Sequence, residues 1–201
     1  MKAGAMRILP GLRFALVAAL TLALGGCFTP FQMVDGNFTP KGRSIAVIAA
    51  LPEEGNAAIA ALVADELRKQ TRYQVMSRAQ IAQALKPYPQ VIKGPYRSAY
   101  FEIDVDWRLT DKQKLAAIQR SLGVDYLYVM WAPTAVEAGK NASNLHLIGQ
   151  LFEFPGAKEV GHGAFQLYIR KDDATNLKKG VEKVARQLAE KTGMLADGKK
   201  Q

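Results

Sequence analysis

Hydrophobic and polar residues alternate with three clear rhythms after position 42. Ser44 to Ala50, SIAVIAA, is an unbroken apolar run closed by Gly42 and Pro52, the pattern of a central strand buried on both faces. From Asn56 to Thr71 the period lengthens to that of a helix. Ile59, Leu62, Val63 and Leu67 share one face, Asn56 is placed to cap the start, and Arg68 and Lys69 close the end that favours cations. Tyr73 to Met76 predicts a second short strand. Ser77-Arg78-Ala79-Gln80 has the spacing of a capping box, so a short helix is expected up to Leu85, stopped by Pro87. Thr110-Asp111-Lys112-Gln113 repeats that logic ahead of a helix with Leu115, Ile118 and Leu122 inward and Gly123 just beyond its end.

The remaining elements follow from the period of two. Tyr126 to Ala132 and Asn144 to Phe154 read as adjacent antiparallel strands, Pro155-Gly156 as a turn, and Gly163 to Arg170 as a strand with one wet face. A last helix opens at Asp173 or Thr175, with Leu177, Val181, Val184 and Leu188 inward and Lys178, Lys179, Lys183, Arg186 and Lys191 outward. Glu182 lies four residues before Arg186, a spacing that favours an ion pair. The order β-α-β-α-insert-α-β-β-β-α predicts an α/β domain over residues 43–194, with helices packed on a mixed parallel and antiparallel sheet. Residues 195–201 are expected to fray.

The stretch before this domain has a different rhythm. Lys2, Arg7 and Arg13 precede an apolar run from Phe14 to Leu24, and Gly25-Gly26-Cys27 follows. This segment resembles a bacterial lipoprotein signal peptide with the lipobox Leu24-Gly25-Gly26-Cys27. The resemblance implies that residues 1–26 are removed and that the thiol of Cys27 receives a diacylglycerol, with a fatty acyl chain such as palmitate on the freed amine. The run has eleven residues, whereas a membrane-crossing helix needs roughly 20. Phe28 at the next position, instead of the aspartate that retains lipoproteins of this class at the inner membrane, implies the outer membrane and a domain facing the periplasm. Residues 27–42, with two Thr-Pro pairs and two glycines, are expected to form a lipidated flexible tether.

Composition narrows the partners. Without residues 1–26 the net charge falls from +9 to +6, and no cysteine remains for an internal disulfide. Outside the cytoplasm a basic surface meets anionic lipid and peptidoglycan, so nucleic acid is not an expected partner. The pattern then resembles the small α/β domain shared by the N-terminal domain of TolB, the curli secretion lipoprotein and the lipoprotein activators of peptidoglycan synthases. SIAVIAA, ADELRKQTRYQVMSRAQIAQAL and SLGVDYLYVMWA carry the likeness. It implies a domain that binds protein partners or oligomerises and performs no catalysis.

The candidate chemistry agrees with that expectation. The sequence holds no Gly-x-Ser-x-Gly elbow, no His-Glu-x-x-His and no Walker loop, and no cofactor is expected. Residues 86–109 form an aromatic, Pro-rich insert whose Tyr88, Tyr96, Tyr100, Phe101 and Trp107 are candidate anchors for a protein partner or a lid on one end of the sheet. Glu102, Asp104 and Asp106 alternate along one face and are weighed as cation ligands, as are His146 and His162 for zinc. In both places a wet or hydrogen-bonded surface is the more ordinary reading. The expected function is that of an accessory, scaffold or assembly factor for another envelope protein, with a cell-wall or small-ligand binding module as the alternative.

Overall fold

The strand of Ser44 to Ala49, here β2, lies inside the sheet, flanked on one side by β4 (Tyr126–Trp131) and on the other by β3 (Gln74–Val75). The computed structural model describes residues 29–51, 54–92, 110–131, 136–137, 142–170 and 175–196. Its elements are β1 (Thr29–Met33), β2, α1 (Glu54–Gln70), β3, α2 (Arg78–Ala84), α3 (Lys112–Leu122), β4, β5 (Val136–Glu137), β6 (Ala142–Glu153), β7 (Lys158–Arg170) and α4 (Thr175–Lys191). The strands run β1-β7-β6-β4-β2-β3, with β5 paired to β6. β2 pairs in parallel with β3 and β4, whereas β4, β6, β7 and β1 form an antiparallel series. The mixed α/β sheet is therefore present, with β4 and β6 adjacent and antiparallel.

Helices cover both faces of this sheet. On the first face, Ile45, Val47, Tyr128, Leu147 and Phe165 meet Val63 and Leu67 of α1 and Val184 and Leu188 of α4. On the second, Ile48, Leu127, Val129 and Phe152 meet Ile81 of α2 and Leu115, Ile118 and Leu122 of α3. Alternate residues of the same strand thus serve different layers, the reason β2 and β4 read as continuous apolar runs. The caps form as spaced: the Gln80 N–H donates to Ser77 Oγ at 3.3 Å, and the Ser77 N–H donates to Gln80 Oε1 at 3.0 Å. Asp111 caps α3, accepting from the N–H groups of Gln113 and Lys114, and Gly123 ends it at φ 66°, a left-handed conformation that favours glycine.

Several details differ from expectation. Residues Thr29 to Met33 are a strand and not part of a flexible tether: β1 pairs antiparallel with β7, Thr29 opposite Ala164 and Met33 opposite Gly161. The physical reason is one side chain. Phe31, 1% exposed, enters a notch over Gly161 and Gly163 and meets Tyr128 edge-on at 6.3 Å. A Cβ on Gly161 would come within 2.5 Å of the Gln32 carbonyl oxygen and 2.8 Å of the Phe31 ring, and one on Gly163 would lie 2.9 Å from Phe31 Cα, so glycine at both positions admits β1 and its ring. The following residues are fixed as well. Tyr126 Oη accepts from the N–H groups of Lys41 and Gly42, Asp125 Oδ2 accepts from Arg43 and Ser44, and Lys158 Nζ donates to Asp35 Oδ2 at 2.7 Å.

α1 begins at Glu54, ahead of the expected cap Asn56, and buries Ala60, Val63, Ala64 and Leu67 while Leu62 remains 45% exposed. Two alanines take the inward positions, which lets the helix lie close to the sheet and turns Leu62 out. β7 starts at Lys158, five residues before the expected Gly163. Arg186 pairs with Glu190 at 2.7 Å, in place of the expected Glu182. Among the described residues no helix is long and apolar enough to cross a membrane.

Candidate functional site

Tyr88 is the one proposed anchor whose place is described. It follows α2 and packs inward against both core layers, its hydroxyl accepting from the Ala49 N–H at 2.7 Å and donating to the Ala49 carbonyl at 3.0 Å. β3 reaches only as far as Ile45 along β2, so the phenol supplies the two bonds that a longer neighbouring strand would give. Tyr88 is thus a lid on the sheet edge and not an exposed contact. Burial pushes its phenol up to about 12, with the bond at Ala49 acting the other way. Beside it lies a mainly apolar cavity of about 150 Å³ between α1 and α2, lined by Val47, Ala60, Ala64 and Ile81, with Asp65 and Arg78 also in its wall. Tyr96, Tyr100, Phe101 and Trp107, with Glu102, Asp104 and Asp106, lie outside the described residues.

The base of the insert is nevertheless described. The Val91 N–H donates to the Ala50 carbonyl at 2.8 Å, the Asp111 N–H donates to the Val91 carbonyl at 2.9 Å, and Ile92 bridges to Thr110. The chain leaves and re-enters the domain at neighbouring points on the second face.

Near that base runs a line of polar side chains. Thr110 Oγ1 donates to Gln150 Oε1, Gln150 Nε2 donates to Glu159 Oε1 at 3.2 Å, and Glu159 Oε1 lies 2.7 Å from His162 Nδ1. Gln150 has no exposed surface, so its amide depends on these partners. The register separates the two histidines. His162 faces Gln150 and His146 faces Gln166, four residues along the ladder, about 13 Å by strand rise and too far for one ion. Burial lowers the His146 pKa, because desolvation disfavours the charged ring. Among the described residues no three His, Cys, Asp or Glu gather in a way that could hold a metal. The polar line was missed in the sequence, although His146, Ile148 and Gln150 already shared a face by the period of two.

No family model matches the chain and no curated protein matches it by sequence. Among solved structures the chain is similar to a point variant of the PelC dodecamer from Paraburkholderia phytofirmans, at 9% identity and a TM-score of 0.49, over 79% of this chain and 96% of that one. It is also similar to lipoprotein GNA1162 from Neisseria meningitidis, at 17% identity and a TM-score of 0.47, over 73% and 98% of the two chains. The hypothetical protein CT253 from Chlamydia trachomatis gives 11% identity and a TM-score of 0.40, over 77% and 98%. Identities and TM-scores this low report a loose likeness of fold. They include a bacterial lipoprotein, but they do not single out the TolB, curli or synthase-activator group.

Proposed function

We propose that this chain is a lipoprotein of the bacterial envelope, held at the periplasmic side of the outer membrane by acyl groups on Cys27, whose α/β domain serves as a non-enzymatic accessory or scaffold for another envelope protein. The observation that carries the reading is the single cysteine of the chain, set at the end of Leu24-Gly25-Gly26-Cys27 after a basic and then apolar leader. Several acyl chains on one residue give stable attachment where one gives only marginal binding. The partner contact is assigned to Tyr96, Tyr100, Phe101 and Trp107 of the insert, which leaves from a base fixed on the second face of the sheet. Rigid aromatics on a loop held at both ends bury area at low entropic cost. Tyr88, spent on Ala49, is left out of that surface.

Metabolic labelling with radioactive palmitate, followed by membrane fractionation, tests the anchor. The native chain is expected to carry the label and to sediment with outer membranes, and Cys27→Ser to lose both. Unchanged labelling of the serine variant overturns the reading.

A further inference from the structure

A polar cavity of about 380 Å³ lies at the end of the sheet where β2 begins, with Lys41, Arg43 and Arg72 in its wall beside Gly42, Gly193 and Met194. Among the described residues no acidic side chain lines it. Its size falls within the roughly 300–1,000 Å³ of small-molecule sites.

The fold fixes the backbone under each cation. The Arg43 N–H donates to Asp125 Oδ2 at 2.9 Å and the Arg43 carbonyl accepts from the Gln74 N–H at 2.7 Å, which pins the residue between the start of β4 and β3. Lys41 is held through its N–H, which donates to Tyr126 Oη at 3.0 Å. The Arg72 N–H donates to the Met194 carbonyl at 2.9 Å, and its Nη2 donates to the Gly193 carbonyl at 2.9 Å. Gly193 turns the chain out of α4 at φ 69°, a left-handed conformation that suits glycine. The bond to its carbonyl directs the Arg72 side chain and leaves the other guanidinium nitrogens for a ligand.

The positive charge exceeds what the protein itself neutralises. Among the described residues none of the three cations forms an ion pair. Asp125 lies behind Gly42, where a Cβ would come within 2.7 Å of its Oδ2, but that oxygen already accepts from the N–H groups of Arg43 and Ser44 and from the Ser44 hydroxyl. Glu153 borders the adjoining cavity, which Lys41 shares with Lys158. The helix ends beside the site are capped by the chain itself, since the Leu67, Gln70 and Ala189 carbonyls accept from the N–H groups of Thr71, Ala196 and Met194.

A phosphate monoester matches this wall better than a carboxylate. It carries about −1.5 to −2 near neutral pH and three acceptor oxygens, and a guanidinium presents a planar fork to two of them. The volume leaves room for a polar body behind the phosphate. We propose that the cavity binds the phosphate monoester of a small polar molecule of sugar size, with Arg43 and Arg72 on its oxygens and Lys41 as a further positive charge. The inference does not depend on acylation of Cys27.

Isothermal titration calorimetry of the full-length protein in detergent tests it, with glucose 1-phosphate, glucuronate and glucose as probes. Glucose 1-phosphate is expected to bind with a Kd below about 1 mM, roughly tenfold or more tighter than glucuronate, and glucose to give no heat. Lys41→Gln with Arg43→Gln should weaken binding more than about tenfold at an unchanged thermal midpoint, because neither side chain holds a bond within the described fold. Arg72→Lys should weaken it several-fold although the charge stays, and Arg120→Gln, on α3 against the opposite face, should leave it unchanged. Soluble dihexanoyl phosphatidic acid, with dihexanoyl phosphatidylcholine as its control, offers the same phosphate from a lipid. Tighter binding of the phosphatidic acid than of glucose 1-phosphate assigns the site to a lipid headgroup, and the reverse order assigns it to a soluble ester. Equal affinity for glucuronate, binding unaltered in the Lys41 and Arg43 double variant, or no binding of either phosphate overturns the inference.

Discussion

The two long edges of the sheet are closed by opposite means. At the β2 edge the sheet is short of a neighbour, and Tyr88 supplies both missing hydrogen bonds from one phenol while its ring completes two cores. At the β1 edge a whole strand has been added, paired to β7, with the Phe31 ring in its glycine-floored notch and the Phe31 N–H donating to Gln187 Oε1. The first edge is sealed by a polar group that stands in for backbone. The second is sealed by apolar burial, and it carries the strand nearest the proposed anchor. The difference shows that one edge of a sheet can be protected by a side chain that stands in for backbone, and another by the apolar packing of an added strand.

The largest effect is expected from Phe31→Ala. Emptying a fully buried phenylalanine site costs about 3–5 kcal/mol in a closed core, and undocking of β1 should bring the loss to the lower end. Denaturant unfolding measures it, and a loss below about 1 kcal/mol would mean that the notch does not hold the strand. Tyr88→Phe should come next, at about 1–3 kcal/mol, because the Ala49 N–H and carbonyl lose their partner.

The same hydroxyl gives a pH signature. Its folded pKa is raised, so its contribution is complete below the unfolded value of about 10 and is lost as pH rises through about 12. Tyr88→Phe should therefore flatten the alkaline fall in stability between those values, and an unaltered slope would remove Tyr88 from it. Asp125→Asn acts on the latch that follows β1. The Ser44 hydroxyl, then the backbone N–H groups of Ser44 and Arg43, hold this carboxyl below the usual range. Its contribution is present above the unfolded pKa of about 3.9 and is lost as pH falls through the lower folded value, so the variant should lose about 1 kcal/mol at neutral pH and show a shallower acid limb. Gln187→Ala should be the smallest, about 0.5–1 kcal/mol, read as faster exchange of the Phe31 amide with the global midpoint nearly unchanged.

Elements whose own residues decide their fate were legible in the sequence. SIAVIAA, YLYVMW, the Ser77 box and the stripe of Val181, Val184 and Leu188 each satisfy a local rule, and each forms where that rule puts it. β1 escaped because TPFQM offers one inward side chain beside Pro30, and its partner notch lies about 130 residues away in the chain. The same glycines concealed the start of β7: read locally, Gly161 and Gly163 break a strand, whereas in the fold they make room for Phe31. Leu62 misled for a related reason, since alanine carries little weight in a hydrophobic pattern yet permits the closest helix packing. At the site, Tyr88 was visible as an aromatic, but its inward role depends on β3 ending early, a fact of topology that no spacing in residues 86–109 encodes. The line from Thr110 to His162 joins the residue ahead of the α3 cap to β6 and β7, and only the fold brings Thr110 to that pair of strands.

The central claim is that folded structure begins almost at Cys27, and amide hydrogen exchange of residues 31–34 in the full-length protein tests it most directly. Protection of the Gln32 and Val34 amides comparable to that of the hydrogen-bonded amides of β7 is the predicted result. Exchange of those amides at the rate of an unstructured peptide, while β7 stays protected, would contradict it and return the segment to a tether.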